Sequence, residues 1–421
     1  MPTDVVLLIP GFFGYNAFGP AQAPILEYFA GVRQILQPAL PNHAVLVHEP
    51  PPTGSLDERV ASLHESIWRL MRGQPLAHAA QTITANRVHL VGHSTGGVDA
   101  WLLANRNFHW VGGPRGSERA EIIAALGEVV TVSAPFRGTP LVSRAALVRD
   151  VALGIAQQLT LLGTWRNPGF DSIVTKSLAA IGGSVVRPRL RGVSPSAVLS
   201  EAARQAAASR QASTGAAEEV AVQVRRFLRE IEEDRQLFDD LSVVHMAELS
   251  REIRGGDDLT RIHSYVTASP KPTRVDVGFD LVGRAVYDLL YHLTAHDRLP
   301  GAQPDGKYLG TPSELGAILK SPVSCDGVVP TRSQTLDGRA KLVVLADHLD
   351  VVGSFRGGSG ADVMRSGSNF SATEFAQLWS DIAFVIDQQA AVRPPPSMPK
   401  PSRPRLRDLW ARSRNGEQRQ A

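Results

Sequence analysis

The stretch "VHLVGHSTGGVDAW" (88–101) decides the fold of this chain. It begins with an apolar run, passes through a short cluster of glycines and hydroxyl residues, and continues with a helical pattern. Continuous apolarity, without polar alternation, is typical of a strand buried on both faces of a parallel sheet. The stretch therefore predicts a buried strand, a tight turn around Ser94 and a helix that starts directly after the turn.

The turn itself has the pattern G-x-S-x-G, in which Gly92 and Gly96 flank Ser94, and His93 occupies the variable position before the serine. Glycines two residues before and after a serine leave room for a strained backbone that exposes the hydroxyl group. A hydroxyl group is a poor nucleophile until an adjacent base takes its proton. The pattern favours Ser94 as a nucleophile; the alternative is a structural serine in a glycine-rich turn.

Further apolar runs bounded by turn residues predict additional strands. They are "VVLLI" (5–9), "AVLVHE" (44–49), "EVVTVSA" (128–134), "RIHSYVTA" (261–268) and "AKLVVLA" (340–346). Helical periods lie between them, as in 55–71, where Ser55 is a helix N-cap, and in a last helix over 371–389. Strands that alternate with helices predict an α/β fold with a mostly parallel, doubly wound sheet.

This alternation stops in the middle of the chain, which suggests four regions. Residues 1–140 and 261–392 are expected to form the two parts of the core, and 141–260 a helical cap or lid insertion. Within the insertion, the apolar face of 147–163 fits either a lid over a cleft or an ordinary core helix. Residues 393–421, rich in Pro and Arg, are expected to be a disordered tail.

Charge and cysteine content restrict the function only weakly. The chain has 421 residues, is 43% hydrophobic and carries a net charge of +3, but the tail alone contributes +6, which leaves about −3 for the body. The tail is either simply solvated or in contact with an anionic membrane or nucleic acid. The single cysteine, Cys325, cannot form an intrachain disulfide. With no signal peptide or spanning segment predicted, we expect a cytoplasmic protein, membrane association being left open.

The partners of the nucleophile are expected after Ser94, in the order acid and then histidine. Asp326 lies in a turn after an extended stretch, and His348 follows the predicted strand 340–346. Such loop positions at strand ends are where an α/β sheet carries its site. Asp347 and Asp350 flank His348 too closely to be its usual orienting partner.

In enzymes whose nucleophile lies in a G-x-S-x-G turn, two main-chain N–H groups form the oxyanion hole. One belongs to the residue after the nucleophile, here Thr95, and the other to the loop after the first strand, here Phe12. The alternative is that Phe12 and Phe13 merely fill the core.

Five stretches together resemble bacterial lipases of the α/β-hydrolase superfamily, and the broader group with GPI inositol-deacylases and lecithin–cholesterol acyltransferases. They are "PGFFG" (10–14), "GHSTGG" (92–97), "VSAPFRGTP" (132–140), "SCDGVVPTRSQ" (324–334) and "DHLDVVG" (347–353). The resemblance spans most of 4–353 and implies an α/β-hydrolase fold with Ser94 as nucleophile, Asp326 as acid and His348 as base. It also implies hydrolysis of a hydrophobic acyl ester through an acyl-enzyme. An acyltransferase with the same triad is the alternative, followed by a non-catalytic scaffold whose basic tail binds anionic surfaces.

Two positions depart from the lipase pattern. Pro10 stands where many such lipases have histidine, which is similar to the acyltransferase and deacylase branch. The resemblance also implies a calcium site near His348, for which Asp350 matches one ligand, whereas Ser354 replaces the expected glutamine. Calcium takes six to eight oxygen ligands, and the sequence lets us name one, so we expect no metal. We expect no cofactor and no specific nucleic acid partner. The expected substrate is a hydrophobic ester or lipid, and the lid or the basic tail is the expected place of any contact with a membrane or lipid surface. The oligomeric state is left open.

Overall fold

The computed structural model places Ala85–His93, a central strand of a parallel sheet, directly before Ser94. The described residues are 3–12, 17–18, 26–76, 82–114, 117–144, 236–272, 281–295, 299, 302–359, 362 and 364–387. Much of the predicted cap, including 147–163, and the whole tail over 393–421 lie outside them. The division into core, cap and tail therefore stays a prediction.

Seven strands form one sheet in which every neighbouring pair is parallel. Its order is β4 (His43–Val47), β1 (Thr3–Ile9), β5 (Ala85–His93), β6 (Leu126–Val132), β7 (Ile262–Ala268), β9 (Arg339–Leu345) and β8 (Asp305–Leu309). A separate antiparallel pair joins β2 (Ala17–Phe18) to β3 (Leu26–Glu27). The strands predicted from apolar runs are all present, and the expected doubly wound parallel sheet is confirmed.

The strand that the sequence did not reveal is β8, at the edge of the sheet. Its residues, "DGKYL", are all exposed or half-buried, so no apolar run marks them. Its pairing with β9 holds it in the sheet without an apolar side-chain pattern, because an edge strand can be held by main-chain hydrogen bonds on one side.

Helices cover both faces of the sheet. They are α1 (Val32–Ala39), α2 (Leu56–Met71), α3 (Thr95–Ala104), α4 (Ser117–Ala125), α5 (Gln236–Asp240), α6 (Val243–Glu252), α7 (Leu281–Thr294), α8 (Pro312–Leu319) and α9 (Ala372–Ile386). In the described part of the chain, three 3₁₀ turns span Pro140–Arg144, Thr331–Gln334 and Asp350–Val352. The predicted N-cap of α2 is confirmed: Ser55 forms a capping box with Glu58. No helix among the described residues is long and apolar enough to cross a membrane.

Alternate residues of the central strands enter two separate cores. In β1, Val5 and Leu7 pack with α2 and α3 on one face, whereas Val6 and Leu8 pack with α1 and α9 on the other. All four side chains are fully buried. Burying a side chain of this size stabilises the fold by about 1.5–3 kcal/mol. Because the strands are buried on both faces, they appear in the sequence as continuous apolar runs. The two cores hold the carboxyl ends of the strands, where the candidate site lies, in fixed positions.

Candidate active site

Ser94 is the single residue between the end of β5 and the start of α3. Its backbone has φ 54° and ψ −127°, a conformation that costs a residue with a side chain about 1–3 kcal/mol. The sharp strand–turn–helix predicted from the sequence is therefore present, with strain stored at the serine. Together with the order of the parallel sheet, this turn gives the chain the α/β-hydrolase fold.

The two flanking glycines are required by close backbone approaches. A Cβ atom on Gly92 would lie 2.1 Å from the main-chain oxygen of Gly96, and one on Gly96 would lie 2.2 Å from the oxygen of Ile9. Both distances are far below any real contact of a Cβ atom, and both obstacles are backbone. Glycine at these positions lets the turn close against itself and against β1.

Ser94, His348 and Asp326 form one chain of hydrogen bonds at the carboxyl end of the sheet. The Ser94 Oγ lies 2.9 Å from His348 Nε2, and His348 Nδ1 lies 2.8 Å from Asp326 Oδ2. Because a carboxylate only accepts, Nδ1 carries the proton and Nε2 presents its lone pair to the serine hydroxyl. All three side chains are buried. The structure thus brings the three residues together in the order that the sequence predicted.

Four donors besides His348 orient the Asp326 carboxylate. Its Oδ1 accepts from the N–H groups of Val328 and Val329 at 2.9 and 2.7 Å. Its Oδ2 accepts from Thr267 Oγ1 at 2.6 Å and from Gln334 Nε2 at 3.2 Å. Thr267 lies in a predicted strand and Gln334 ends the stretch "SCDGVVPTRSQ", but neither pattern indicates that these side chains contact Asp326. Hydrogen bonds to both oxygens stabilise the ionised acid and fix its plane toward His348.

Asp347 and Asp350 shape the turn that carries His348. Asp347 Oδ1 accepts from the N–H groups of Leu349 and Asp350 at 3.0 and 3.1 Å. Asp350 Oδ2 accepts from Asp347 N–H at 2.9 Å and from Ser368 Oγ at 2.8 Å. Burial raises the pKa of Asp347 to about 6, and burial together with the nearby Asp347 raises the pKa of Asp350. Asp347 Oδ1 and Asp350 Oδ2 therefore hold this turn through N–H and O–H donors, and the absence of a metal near His348 stays a prediction.

The loop after β1 and the start of α3 bring the predicted oxyanion residues beside the serine. Thr95 is the first residue of α3, where a main-chain N–H has no carbonyl partner within its own helix. In the loop, Gly11 N–H is already engaged, because it donates to Tyr28 Oη at 2.8 Å. Phe12 is half-buried, with its ring 4.9 Å from the ring of Phe238, so its side chain packs on the core, whereas Phe13 lies outside the described residues.

A buried ion pair supports the same loop, and the sequence analysis did not identify it. Arg59 on α2 and Asp99 on α3 have no exposed side-chain surface, and Arg59 Nη2 lies 2.7 Å from Asp99 Oδ2. The same Nη2 donates to the main-chain oxygen of Pro10 at 3.0 Å, and Nη1 donates to that of Pro51 at 2.9 Å. A charged residue on the apolar face of each helix was the available signal.

An apolar cavity opens beside Ser94 and His348. Its described lining includes Phe12, Pro135, Leu141, Val142, Phe238, Leu241, Leu290, Val328, Val329, Leu349 and Met364. The polar side chains are those of Tyr28, Ser94, Thr95, Thr139 and His348, and no Asp, Glu, Lys or Arg is found in this described lining. Such a cavity accepts an uncharged hydrophobic group and disfavours a charged one, because burying an unpaired charge is costly.

A second cluster of polar side chains lies near the amino ends of β1 and β4, away from the carboxyl ends that carry the candidate site. It consists of Asp4, His43 and His89, whose ligand atoms lie within 4.8 Å of one another. Burial lowers the pKa of both histidines, that of His89 to about 4, so both are neutral. However, His89 Nδ1 accepts from Glu128 N–H at 3.0 Å, which leaves the proton on Nε2 and no second lone pair. A metal would require the other tautomer and would break that bond, so these residues do not form a metal site as they stand.

Comparison with known proteins gives similarity only at the level of three-dimensional structure. No family model matches this chain, and no curated protein has a matching sequence. EstA from Clostridium botulinum is similar over 87% of each chain, with 16% identity and a TM-score of 0.45. Lipase 1 from Pelosinus fermentans has 14% identity and a TM-score of 0.48, over 91% of this chain and 99% of that one. Staphylococcus hyicus lipase has 13% identity and a TM-score of 0.46, over 93% and 97%.

Proposed function

We propose that this chain is a serine carboxylic-ester hydrolase of the lipase and esterase type, acting on an ester with a hydrophobic acyl group. The observation that carries the proposal is the hydrogen-bonded chain from Ser94 through His348 to Asp326, on a strained turn beside an apolar cavity. A structural serine needs no base on its hydroxyl, no acid behind that base and no strained backbone.

In the first half of the reaction, Ser94 Oγ attacks the ester carbonyl while His348 Nε2 takes the serine proton. Asp326 holds the imidazole in the required tautomer and stabilises its positive charge. The N–H groups of Thr95 and Phe12 stabilise the negative oxygen of the tetrahedral intermediate; one such donor is worth about 10²- to 10³-fold in rate. His348 then gives its proton to the departing alcohol, which leaves the acyl group on Ser94.

In the second half, water enters where the alcohol left and His348 takes one of its protons. The resulting hydroxide attacks the acyl-enzyme, the same two N–H groups stabilise the second intermediate, and the proton returns to Ser94 Oγ. The acyl chain occupies the apolar cavity throughout, which favours uncharged aliphatic acyl groups over charged ones.

The test is ester hydrolysis by the wild type, Ser94→Ala and a control, Ser66→Ala, which removes a hydroxyl on α2 outside the cavity. We expect the wild type to hydrolyse p-nitrophenyl esters, with acyl chains from acetyl to palmitoyl showing its preference. Phospholipids and a triglyceride emulsion are tested beside them. Ser94→Ala should be inactive, folded and no longer labelled by a fluorophosphonate probe, whereas Ser66→Ala should keep both activity and labelling.

Other outcomes favour the alternatives. Full activity in Ser94→Ala contradicts the proposal, and neither turnover nor labelling in the wild type supports a non-catalytic scaffold. Adding an alcohol acceptor separates hydrolysis from acyl transfer: a transferase releases ester product at the expense of free acid, whereas a hydrolase releases mainly acid.

A further inference from the structure

Both ring nitrogens of His93, at the variable position of the turn, are hydrogen-bonded, although the G-x-S-x-G pattern requires no histidine there. His93 Nε2 lies 2.8 Å from the main-chain oxygen of His348, and Nδ1 lies 2.8 Å from Tyr28 Oη. Tyr28 Oη also accepts from Gly11 N–H at 2.8 Å. A single chain of hydrogen bonds therefore joins the loop after β1, Tyr28 directly after β3, the last residue of β5 and the loop after β9.

The direction of this chain is determined by the groups at its two ends. A main-chain carbonyl only accepts, so His93 Nε2 carries the proton, and Nδ1 of the neutral ring accepts from the Tyr28 hydroxyl. A main-chain N–H only donates, so the Tyr28 oxygen accepts from Gly11. Complete burial holds the pKa of His93 well below its ordinary value, which keeps the ring neutral. Each hydrogen bond of the network thus has a defined donor and a defined acceptor.

At its far end, the network anchors the main chain of His348. The His348 carbonyl accepts from His93, and the His348 N–H donates to the main-chain oxygen of Asp326 at 3.0 Å. The two histidine rings also pack together, with centroids 4.7 Å apart. A neutral His93 does not repel the imidazolium that forms at His348 during the proposed reaction, whereas a charged ring at this distance would.

At its near end, the network sets the loop that carries Phe12. Tyr28 binds the Gly11 N–H, and the next N–H of the loop, that of Phe12, is the one proposed for the oxyanion. The packing is tight: a Cβ atom on Gly11 would lie 2.7 Å from Tyr28 Oη and 2.8 Å from Ser94 Cβ. A shift of the Tyr28 hydroxyl is therefore transmitted to the loop.

We infer that His93 is a positioning residue, which uses its two ring nitrogens to hold the main chain of His348 and, through Tyr28, the Gly11–Phe12 loop in register with Ser94. This inference rests on the proposed function, since it assigns a role in that reaction. His93 acts through the main chain of the base and through the loop, not on the ester itself.

The test compares three variants by their kcat and KM for a p-nitrophenyl ester and by the pre-steady-state burst of p-nitrophenol. His93→Phe keeps the ring and removes both hydrogen bonds; we expect kcat to fall about 10- to 100-fold with KM changed less than about threefold, because misplaced groups lose rate more than binding. His93→Gln, which has both a donor and an acceptor, should recover most of the loss. Tyr28→Phe should have an intermediate effect.

The matched control is His64→Phe, which changes another buried histidine whose ring packs against Trp110, outside the cavity. It should lower the melting temperature without lowering kcat. The double variant His93→Phe/Tyr28→Phe should lose less activity than the product of the two single losses, because residues in one network are not additive.

Two results would overturn the inference. One is a wild-type kcat in a folded His93→Phe variant. The other is an equal loss of kcat in His93→Phe and His93→Gln that follows only the melting temperature. If His93→Phe does not fold, a folded Tyr28→Phe decides: reduced kcat supports the inference and wild-type kcat overturns it. If the wild type hydrolyses esters and is labelled at Ser94 while these variants are unaffected, the inference alone fails. If the wild type does neither, the proposed function fails with it.

Discussion

Arg59 and Asp99 form a fully buried ion pair, and the Arg59 guanidinium that neutralises Asp99 also donates to the main-chain oxygen of Pro10. The Arg59 Nε atom lies 3.2 and 3.0 Å from the two Asp99 oxygens, and Nη2 lies 2.7 Å from Oδ2. Burial raises the pKa of Asp99, an effect that Arg59 opposes. Since Pro10 begins the loop that contains Phe12, the pair joins α2 and α3 to the candidate oxyanion hole.

Asp99→Asn should destabilise the protein by about 3–5 kcal/mol, because it leaves the Arg59 charge buried without a counterion. Urea unfolding followed by circular dichroism measures this change. The double variant Arg59→Met/Asp99→Leu removes both charges and should be more stable than Asp99→Asn, yet it should lose activity because the Pro10 oxygen has lost its donor. A loss below about 1 kcal/mol in Asp99→Asn would contradict the importance of the pair.

Asp326→Asn should reduce kcat/KM for a p-nitrophenyl ester by about 10³- to 10⁴-fold. The Asn oxygen can still accept from Val328 and Val329, but its amide group presents a donor to His348 and favours the wrong tautomer. Asp337→Asn, an exposed control that accepts only from its local turn and Arg339, should match the wild type. A reduction of less than tenfold in Asp326→Asn would argue that another acid orients His348.

Gly92→Ala should abolish activity and destabilise the fold, because its Cβ atom would meet the Gly96 carbonyl oxygen at 2.1 Å. The matched control is Gly316→Ala in α8, where a Cβ atom meets nothing within 4 Å. That change should stabilise the protein by about 0.5–1 kcal/mol, since alanine is the better helix former. Thermal melting and ester hydrolysis are measured for both variants. A Gly92→Ala protein with wild-type stability would show that the turn can open without cost.

Asp347→Asn should stabilise the protein at pH 8 and have little effect at pH 4. The pKa of Asp347 is raised from 3.8 to about 6, so the folded state holds this proton more tightly than the unfolded state does. Stability from this group is therefore present at low pH and is lost as pH rises from about 4 to about 6. The nearby charge of Asp362 also raises the pKa of Asp347, whereas hydrogen bonds from Ser366 and from the N–H groups of Leu349 and Asp350 oppose the rise.

Asn avoids the cost of ionising this buried group and keeps an oxygen for Leu349 and Asp350 N–H. Urea unfolding at pH 4, 6 and 8 measures the difference from the wild type. An equal difference at all three pH values, or a less stable variant at pH 8, would contradict a raised pKa.

Much of the fold follows from patterns that are local in the chain. The runs over 5–9 and 128–134 predicted buried strands because a strand covered on both faces has no polar side to present. Strand β8 was missed for the opposite reason: its exposed side chains carry no such pattern, and its position depends on the main chain of β9.

Of the site, the sequence by itself determined the strained turn at Ser94 and the positions of Asp326 and His348. The turn is decided within five residues, where the backbone needs glycine on both sides, and His348 follows β9 at the carboxyl edge of the sheet. Asp326 lies in the loop between α8 and β9 and not at a strand end, and its contact with Thr267 places it at the same edge. The tertiary structure alone decided the supporting partners: Tyr28 for His93, Arg59 for Pro10, and Thr267 with Gln334 for Asp326. Hydrogen bonds act over about 3 Å in space, and no spacing along the chain states which distant loops will meet at that distance.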